Sequence, residues 1–152
     1  MVRMKIVAAL TDPSNAVMAQ EQGADVIELR LDLLEGDPAV QVRHCREQVT
    51  LPLIATLRSA HEGGRYFGNA EEWMERLTPL ISLVDYVDIE QRFSENAPAI
   101  RAAGKQIIAS CHEGRMLSLT ELFHVERNLG VFCDIPKIIV TPKSEDDLID
   151  LI

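Results

Sequence analysis

No apolar run in this sequence reaches the roughly 18 residues that a membrane span needs, so a transmembrane helix is excluded. The start, "MVRMKIVAAL", is basic and then briefly apolar, but "TDPSN" follows at once. A signal peptide would have a longer apolar region ending in a small-residue cleavage site, so the stretch reads as a first strand. Cysteine is scarce: Cys45, Cys111 and Cys133 are odd in number, widely spaced and form no C-x-x-C. That argues against a disulfide framework or a zinc site, and it favours free thiols in a reducing cytoplasm. There is no basic block and the net charge is -9, so nucleic acid is not an expected partner. An anionic small molecule is compatible only where arginines gather locally against the overall field. His44, His61, His112 and His124 show neither H-x-H nor H-E-x-x-H spacing, which gives a metal site little support. A metal hydrolase barrel using His61, Glu90 and His112 is the one weakly supported form of that idea. Aromatics make up only 5% of the chain. With 47% hydrophobic and 26% charged residues over 152 positions, the rest is the composition of one globular domain with a real core.

What is present is an alternation. Short β-rich runs, "KIVAAL" (5–10), "DVIEL" (25–29), "LIATL" (53–57), "YVDIE" (86–90), "QIIAS" (106–110) and "KIIVT" (137–141), are separated by helical patterns. Gly23, Gly104 and Gly130 each stand just past such a pattern, where a left-handed cap is expected. Asn69 is placed to cap "AEEWMERLTPLISLV", and "SLTE" (118–121) and "SEDD" (144–147) have the capping-box pattern. Strand and helix in strict alternation predict a parallel sheet covered by helices, in a single domain over 1–152. An open doubly wound sheet gathers its polar groups at one switch point, whereas a barrel brings every strand end to one mouth. Here polar residues stand at or near the carboxyl ends of several strands: Glu28 and Arg30, Arg58, Asp88 and Glu90, and His112, with Lys137 on the sixth run. After the first strand, "LTDPSNA" stands where a dinucleotide fold would carry G-x-G-x-x-G. The expectation is a (β/α) barrel.

Each candidate has a plainer reading. Glu28, Arg30 and Asp32 alternate with Leu29, Leu31 and Leu33, which also describes a half-solvated strand. Arg58 and Glu62 lie in "TLRSAHEGGRY", which also reads as a solvated loop turned by Gly63–Gly64. Asp88 and Glu90 suit a surface pair, and a lone His112 suits a structural role. Cys111 and His112 are adjacent on an extended segment, so their side chains point to opposite faces and make no thiolate–imidazole pair. Lys137 is the hardest to explain away. A lysine is rarely buried in an apolar strand unless it is paired or reactive, although it could snorkel from the exposed start of a strand opened by Pro136.

Together these residues suggest a specific chemistry. Desolvation, helped by cationic neighbours, would make a barrel lysine easier to deprotonate. A neutral amine adds to a ketone and forms an imine, which acidifies the adjacent carbon. A nearby histidine can take that proton and later act as an acid. Arg30 and Arg58 would hold an anionic or hydroxylated substrate, and no cofactor is required.

The stretches "ADVIELRLDLL" (24–34), "ATLRSAHEGGRY" (55–66), "VDIEQRF" (87–93), "IIASCH" (107–112) and "PKIIVTPKSEDDLIDL" (136–151) occur in that order. Over essentially the whole chain they resemble the type I 3-dehydroquinate dehydratases, imine-forming (β/α)₈ enzymes of the shikimate pathway to chorismate and the aromatic amino acids. The resemblance implies Lys137 as the Schiff-base lysine, His112 as proton donor and acceptor, and Glu62 as the carboxylate that orients it. It implies Glu28, Arg30 and Arg58 as substrate-binding residues, with Asp88 and Glu90 lining the site. The implied reaction is loss of water from 3-dehydroquinate to give 3-dehydroshikimate, without metal or cofactor. The implied partners are that small-molecule substrate and, as an allowed assembly, a homodimer, with neither nucleic acid nor membrane.

Two features depart from the family pattern. Gly114 stands where an aromatic usually follows the histidine by two residues. The chain also ends in the helix after its sixth strand, whereas such barrels typically run to about 250 residues. The expectation is therefore an incomplete barrel of about six βα units, without the family's further arginine and mobile loop. A catalytically silent incomplete barrel, binding an anion or a partner chain along its open edges, is the alternative.

Overall fold

A computed structural model describes residues 4–149 and Leu151. Its strands are β1 (Val7–Leu10), β2 (Val26–Arg30), β3 (Leu53–Thr56), β4 (Tyr86–Glu90), β5 (Gln106–His112) and β6 (Ile135–Ile139). All neighbouring pairs are parallel, and the order in the sheet is β1-β2-β3-β4-β5-β6. Every strand is laid on the same side of its predecessor, as in a barrel; a doubly wound sheet would reverse direction at its switch point. The helices between and after the strands are α1 (Ala16–Glu21), α2 (Pro38–Gln48), α3 (Ala70–Leu77), α4 (Ala97–Ala102), α5 (Leu119–Gly130) and α6 (Glu145–Ile149). The sixth strand begins at Ile135 rather than Lys137, so the lysine sits in mid-strand, paired in register with Ser110. No helix among the described residues is long and apolar enough to cross a membrane.

Local signals explain most of the boundaries. Gly23 and Gly104 adopt the left-handed conformation, with φ of 96° and 75°. Gly130 does not: it is the last residue of α5, and Val131 after it remains right-handed, so no left-handed cap forms there. Asn69 and Glu72 form a reciprocal capping box at the start of α3, as Ser118 and Glu121 do for α5. The helix after Asn69 is shorter than the 15 residues its pattern suggests. Pro79 has no N–H for the carbonyl four residues back, and the chain tightens into a 3₁₀ helix over Thr78–Leu83.

The two faces of the sheet carry different cores. Ile27 and Leu29, Leu53 and Ala55, Val87 and Ile89, and Ile107 pack outward into the main cluster with the helices. Trp73 and Phe93 stack there at 5.1 Å between ring centroids, and the Trp73 indole N–H donates to the Leu57 carbonyl. The alternate residues Val26, Ile54 and Ile108 form a separate inner cluster with Tyr86 packed against it. The charged alternation on β2 is therefore not a solvated face. It lines the inside of the barrel, and Glu28 is only 7% exposed.

The sheet stops at β1 and β6, and Ile6 (59% exposed), Val7 (46%) and Ile135 (45%) lie open near those edges. Unpaired strands of this kind offer a template to another chain. The 152-residue polypeptide by itself is expected to associate, giving a light-scattering mass above that of a single chain. A monodisperse monomer would show that the edges are protected.

Candidate active site

Parallel strands with period-two alternation stack the inward side chains in tiers. The lowest tier is apolar, built on Val26, Ile54 and Ile108. Two residues further along each strand lie Glu28, Thr56, Asp88 and Ser110, all buried, together with Lys137 on β6. Two further still lie Arg30, Arg58, Glu90 and His112. A cavity of about 480 Å³ opens over the apolar tier, with Glu28 and Lys137 in its wall.

The middle tier converges on the lysine. Lys137 Nζ lies 3.2 Å from Glu28 Oε1 and 3.2 Å from Asp88 Oδ2. Each carboxylate is in turn held by a hydroxyl from the adjacent strand: Thr56 donates to Glu28 at 2.7 Å, and Ser110 donates to Asp88. These contacts correct one expectation. Burial alone would lower the lysine pKa, but no cation among the described residues assists it, and Asp88 and Glu28 together turn the net shift upward. The two carboxylates therefore favour the ammonium form of Lys137. Asp88 is shifted upward as well, by burial first, against the opposing pull of Lys137 and Ser110.

The upper tier is organised by loops. His112 Nδ1 is 2.7 Å from Glu62 Oε2, and the His112 backbone N–H donates to the same oxygen at 3.1 Å. A carboxylate only accepts, so Nδ1 carries the hydrogen and Nε2 is the ring nitrogen turned away from Glu62. Glu62 belongs to the turn 60–62 after β3, which closes on Gly63 at φ 80°. A Cβ on Gly64 would lie 2.2 Å from the Arg58 carbonyl oxygen, so this glycine is required by close backbone approach and does more than relax a loop. The same turn fixes Arg58, whose Nε donates to the Glu62 carbonyl at 2.6 Å. Arg30 is held by a two-bond fork to Asp32, each contact 2.9 Å long. Asp32 also accepts from the Arg65 backbone N–H, so it ties β2 to the loop after β3.

Glu90 stands apart from the lysine. Its two oxygens accept the Ser59 backbone N–H and hydroxyl, and it makes no hydrogen bond to Lys137 among the described residues. It anchors the β3 loop from below. Cys111 offers no competing nucleophile, since burial, reinforced by Glu62 and Glu113, pushes its thiol up to about 11. Sequence reasoning did not single out Thr56, Ser59 or Ser110 for the site. Thr56 and Ser110 were within reach of the period-two rule, because each precedes a chosen residue, Arg58 or His112, by two positions on the same face.

A one-directional parallel barrel with a carboxylate-bound lysine and an oriented histidine at its strand ends belongs to the (β/α) barrel class that works from one mouth. Comparison with known proteins narrows this. The family model described as Type I 3-dehydroquinase matches residues 6–152. A 3-dehydroquinate dehydratase of Methanoregula boonei is 60% identical over 98% of this chain, which spans 71% of that relative. One from Methanospirillum hungatei is 36% identical, again over 98% of this chain but only 58% of its own length. The crystal structure of the Aquifex aeolicus 3-dehydroquinate dehydratase superposes with a TM-score of 0.79 at 32% identity, covering 97% of this chain and 71% of that one. The chain belongs to the type I 3-dehydroquinase family.

Proposed function

We propose that the chain eliminates water from 3-dehydroquinate to give 3-dehydroshikimate through a Schiff base on Lys137, as a hydro-lyase of the shikimate pathway. The observation that carries this reading is the pairing of β5 with β6. Ser110 is in register with Lys137, so His112 lies two residues beyond it on the same inward face. Lys137 forms the imine with the substrate ketone. The iminium acidifies the neighbouring carbon, and Nε2 of His112, held by Glu62, takes the proton and returns it to the departing hydroxyl. Arg30 and Arg58 point the substrate's anionic and hydroxyl groups into the mouth, with Glu28 beside them. None of these steps calls on a cofactor. The 152 residues act as one partial catalytic domain, and a homodimer along the open edges fits the same reading. A cytoplasmic setting is supported by Cys45, Cys111 and Cys133, all free thiols.

The test is the ultraviolet absorbance of the conjugated enone product. It should grow when 3-dehydroquinate is added to the chain extended by its relatives' last two strand–helix units, and only weakly with the 152 residues alone. No product from the extended chain would favour the second reading, a silent barrel, which the open edges of β1 and β6 support.

A further inference from the structure

The lysine is gripped by more acceptors than its Schiff base could satisfy. As an ammonium, Lys137 has three N–H groups. They face three carboxylate oxygens: Glu28 Oε1 at 3.2 Å, Glu28 Oε2 at 3.4 Å and Asp88 Oδ2 at 3.2 Å. An iminium keeps the positive charge but only one N–H. Imine formation therefore preserves the ion pairing while stripping hydrogen bonds from buried oxygens, which is costly where water does not replace them.

The proton count points the same way. An ammonium and a ketone give an iminium and one water, so two lysine protons must reach the departing oxygen. The first must leave nitrogen before attack, because an ammonium has no lone pair. It needs a place to wait within hydrogen-bond reach of Nζ, and only Glu28 and Asp88 offer one among the described residues. The two differ in burial: the Asp88 side chain is 3% exposed and that of Glu28 is 9%. A negative charge is least welcome at the more buried of the two. Asp88 also sits on β4, one strand from β5, where the Ser110 hydroxyl donates to its Oδ1 and leaves Oδ2 turned to the lysine.

We propose that Asp88 is the proton shuttle of imine formation, a role that rests on the Schiff-base reading above, and that Ser110 is the residue that positions it. Oδ2 takes a proton from the ammonium. The freed amine adds its lone pair to the carbonyl carbon, and the C=O π electrons move to oxygen. A second proton passes from nitrogen to that oxygen to give the neutral carbinolamine. Asp88 then returns the first proton to the hydroxyl, which leaves as water with the C–O electron pair while the nitrogen lone pair forms the iminium. The carboxylate ends as it began. The upward shift of Asp88 agrees with a group able to carry a proton briefly.

The test compares two rates on Lys137 of the 152-residue chain at pH 7: acetylation by acetic anhydride, which reports the free amine, and borohydride-trapped adduct formation with 3-dehydroquinate. Asp88→Asn removes one of the carboxylates that hold the ammonium, so acetylation should quicken. Adduct formation should nevertheless slow by about 10²-fold or more, the usual scale for losing a placed proton-transfer group. An adduct formed as fast as in the unaltered chain, or faster, would show that Asp88 is a counter-ion only, and would overturn the proposal. Ser110→Ala keeps the carboxylate and carries the test if Asp88→Asn does not fold. It should slow the adduct several-fold with acetylation little changed, and an unchanged adduct rate counts against the shuttle. If the unaltered chain takes no adduct on Lys137 even when extended by its relatives' last two strand–helix units, the Schiff-base reading fails and the shuttle with it. That outcome is distinct from an adduct that forms without help from Asp88.

Discussion

Lys137→Ala should abolish the adduct that borohydride traps from 3-dehydroquinate, and peptide mapping of the unaltered chain should place that adduct on Lys137. The expected effect is near total, since an imine needs a primary amine; Lys5 also lines the cavity, but it is exposed and stands before Val7, at the apolar end where Val7 pairs with Val26. Lys143 and Lys105 are the competitors by sequence. Lys143 lies past the end of β6, exposed, and its backbone N–H serves to cap α6 through Asp147. Lys105 is outside the inner tiers, just before β5. A label on either would overturn the assignment. Lys137→Arg separates chemistry from electrostatics, because it keeps a cation beside Glu28 and Asp88 but cannot form the imine. It should be as unreactive as the alanine variant and closer to the unaltered chain in stability. The stability has a pH signature. Lys137 is raised above its ordinary value of 10.5, so its ion pairs contribute fully below that value. Their contribution fades as pH climbs through the higher folded pKa.

The second large effect is on turnover. In the chain extended to eight strand–helix units, His112→Ala should lower the rate of enone formation by roughly 10²–10⁴-fold, while adduct trapping at Lys137 persists. The two readouts separate because, in the proposed mechanism, His112 serves the carbon–hydrogen and carbon–oxygen steps, whereas the amine can add to the ketone without it. The 2.7 Å contact to Glu62 fixes which ring nitrogen is available, so Glu62→Gln should fall in the same direction by less. A rate within a few-fold of the unaltered protein for His112→Ala would mean that another group is the base.

Much of this site was legible from spacing. Glu28 and Arg30 on one run, Arg58 and Glu62 around a double glycine, His112 at the end of another and Lys137 in an apolar strand are all where the structure gathers them. Pattern alone could not say which side of a strand is wet. The alternation of Glu28, Arg30 and Asp32 with leucines fits a solvated edge as well as a barrel lining, and only the curl of six parallel strands decides between them. Nor could pattern show which carboxylates meet the lysine. Asp88 and Glu28 stand 49 and 109 positions from Lys137 along the chain, and reach it because their strands lie on one inward face.

By itself, the sequence determined the alternation of strands and helices, the capping boxes at Asn69 and Ser118, the inward set of polar residues and the family. These follow from local rules: residue period, cap chemistry and the order of motifs. The tertiary structure alone decided which way Lys137 is shifted. A lysine in an apolar strand, taken with its neighbours in sequence, is expected to lose its proton. With two buried carboxylates brought against it from distant strands, its pKa is raised instead, because Coulomb attraction across about 3 Å outweighs the desolvation that burial imposes.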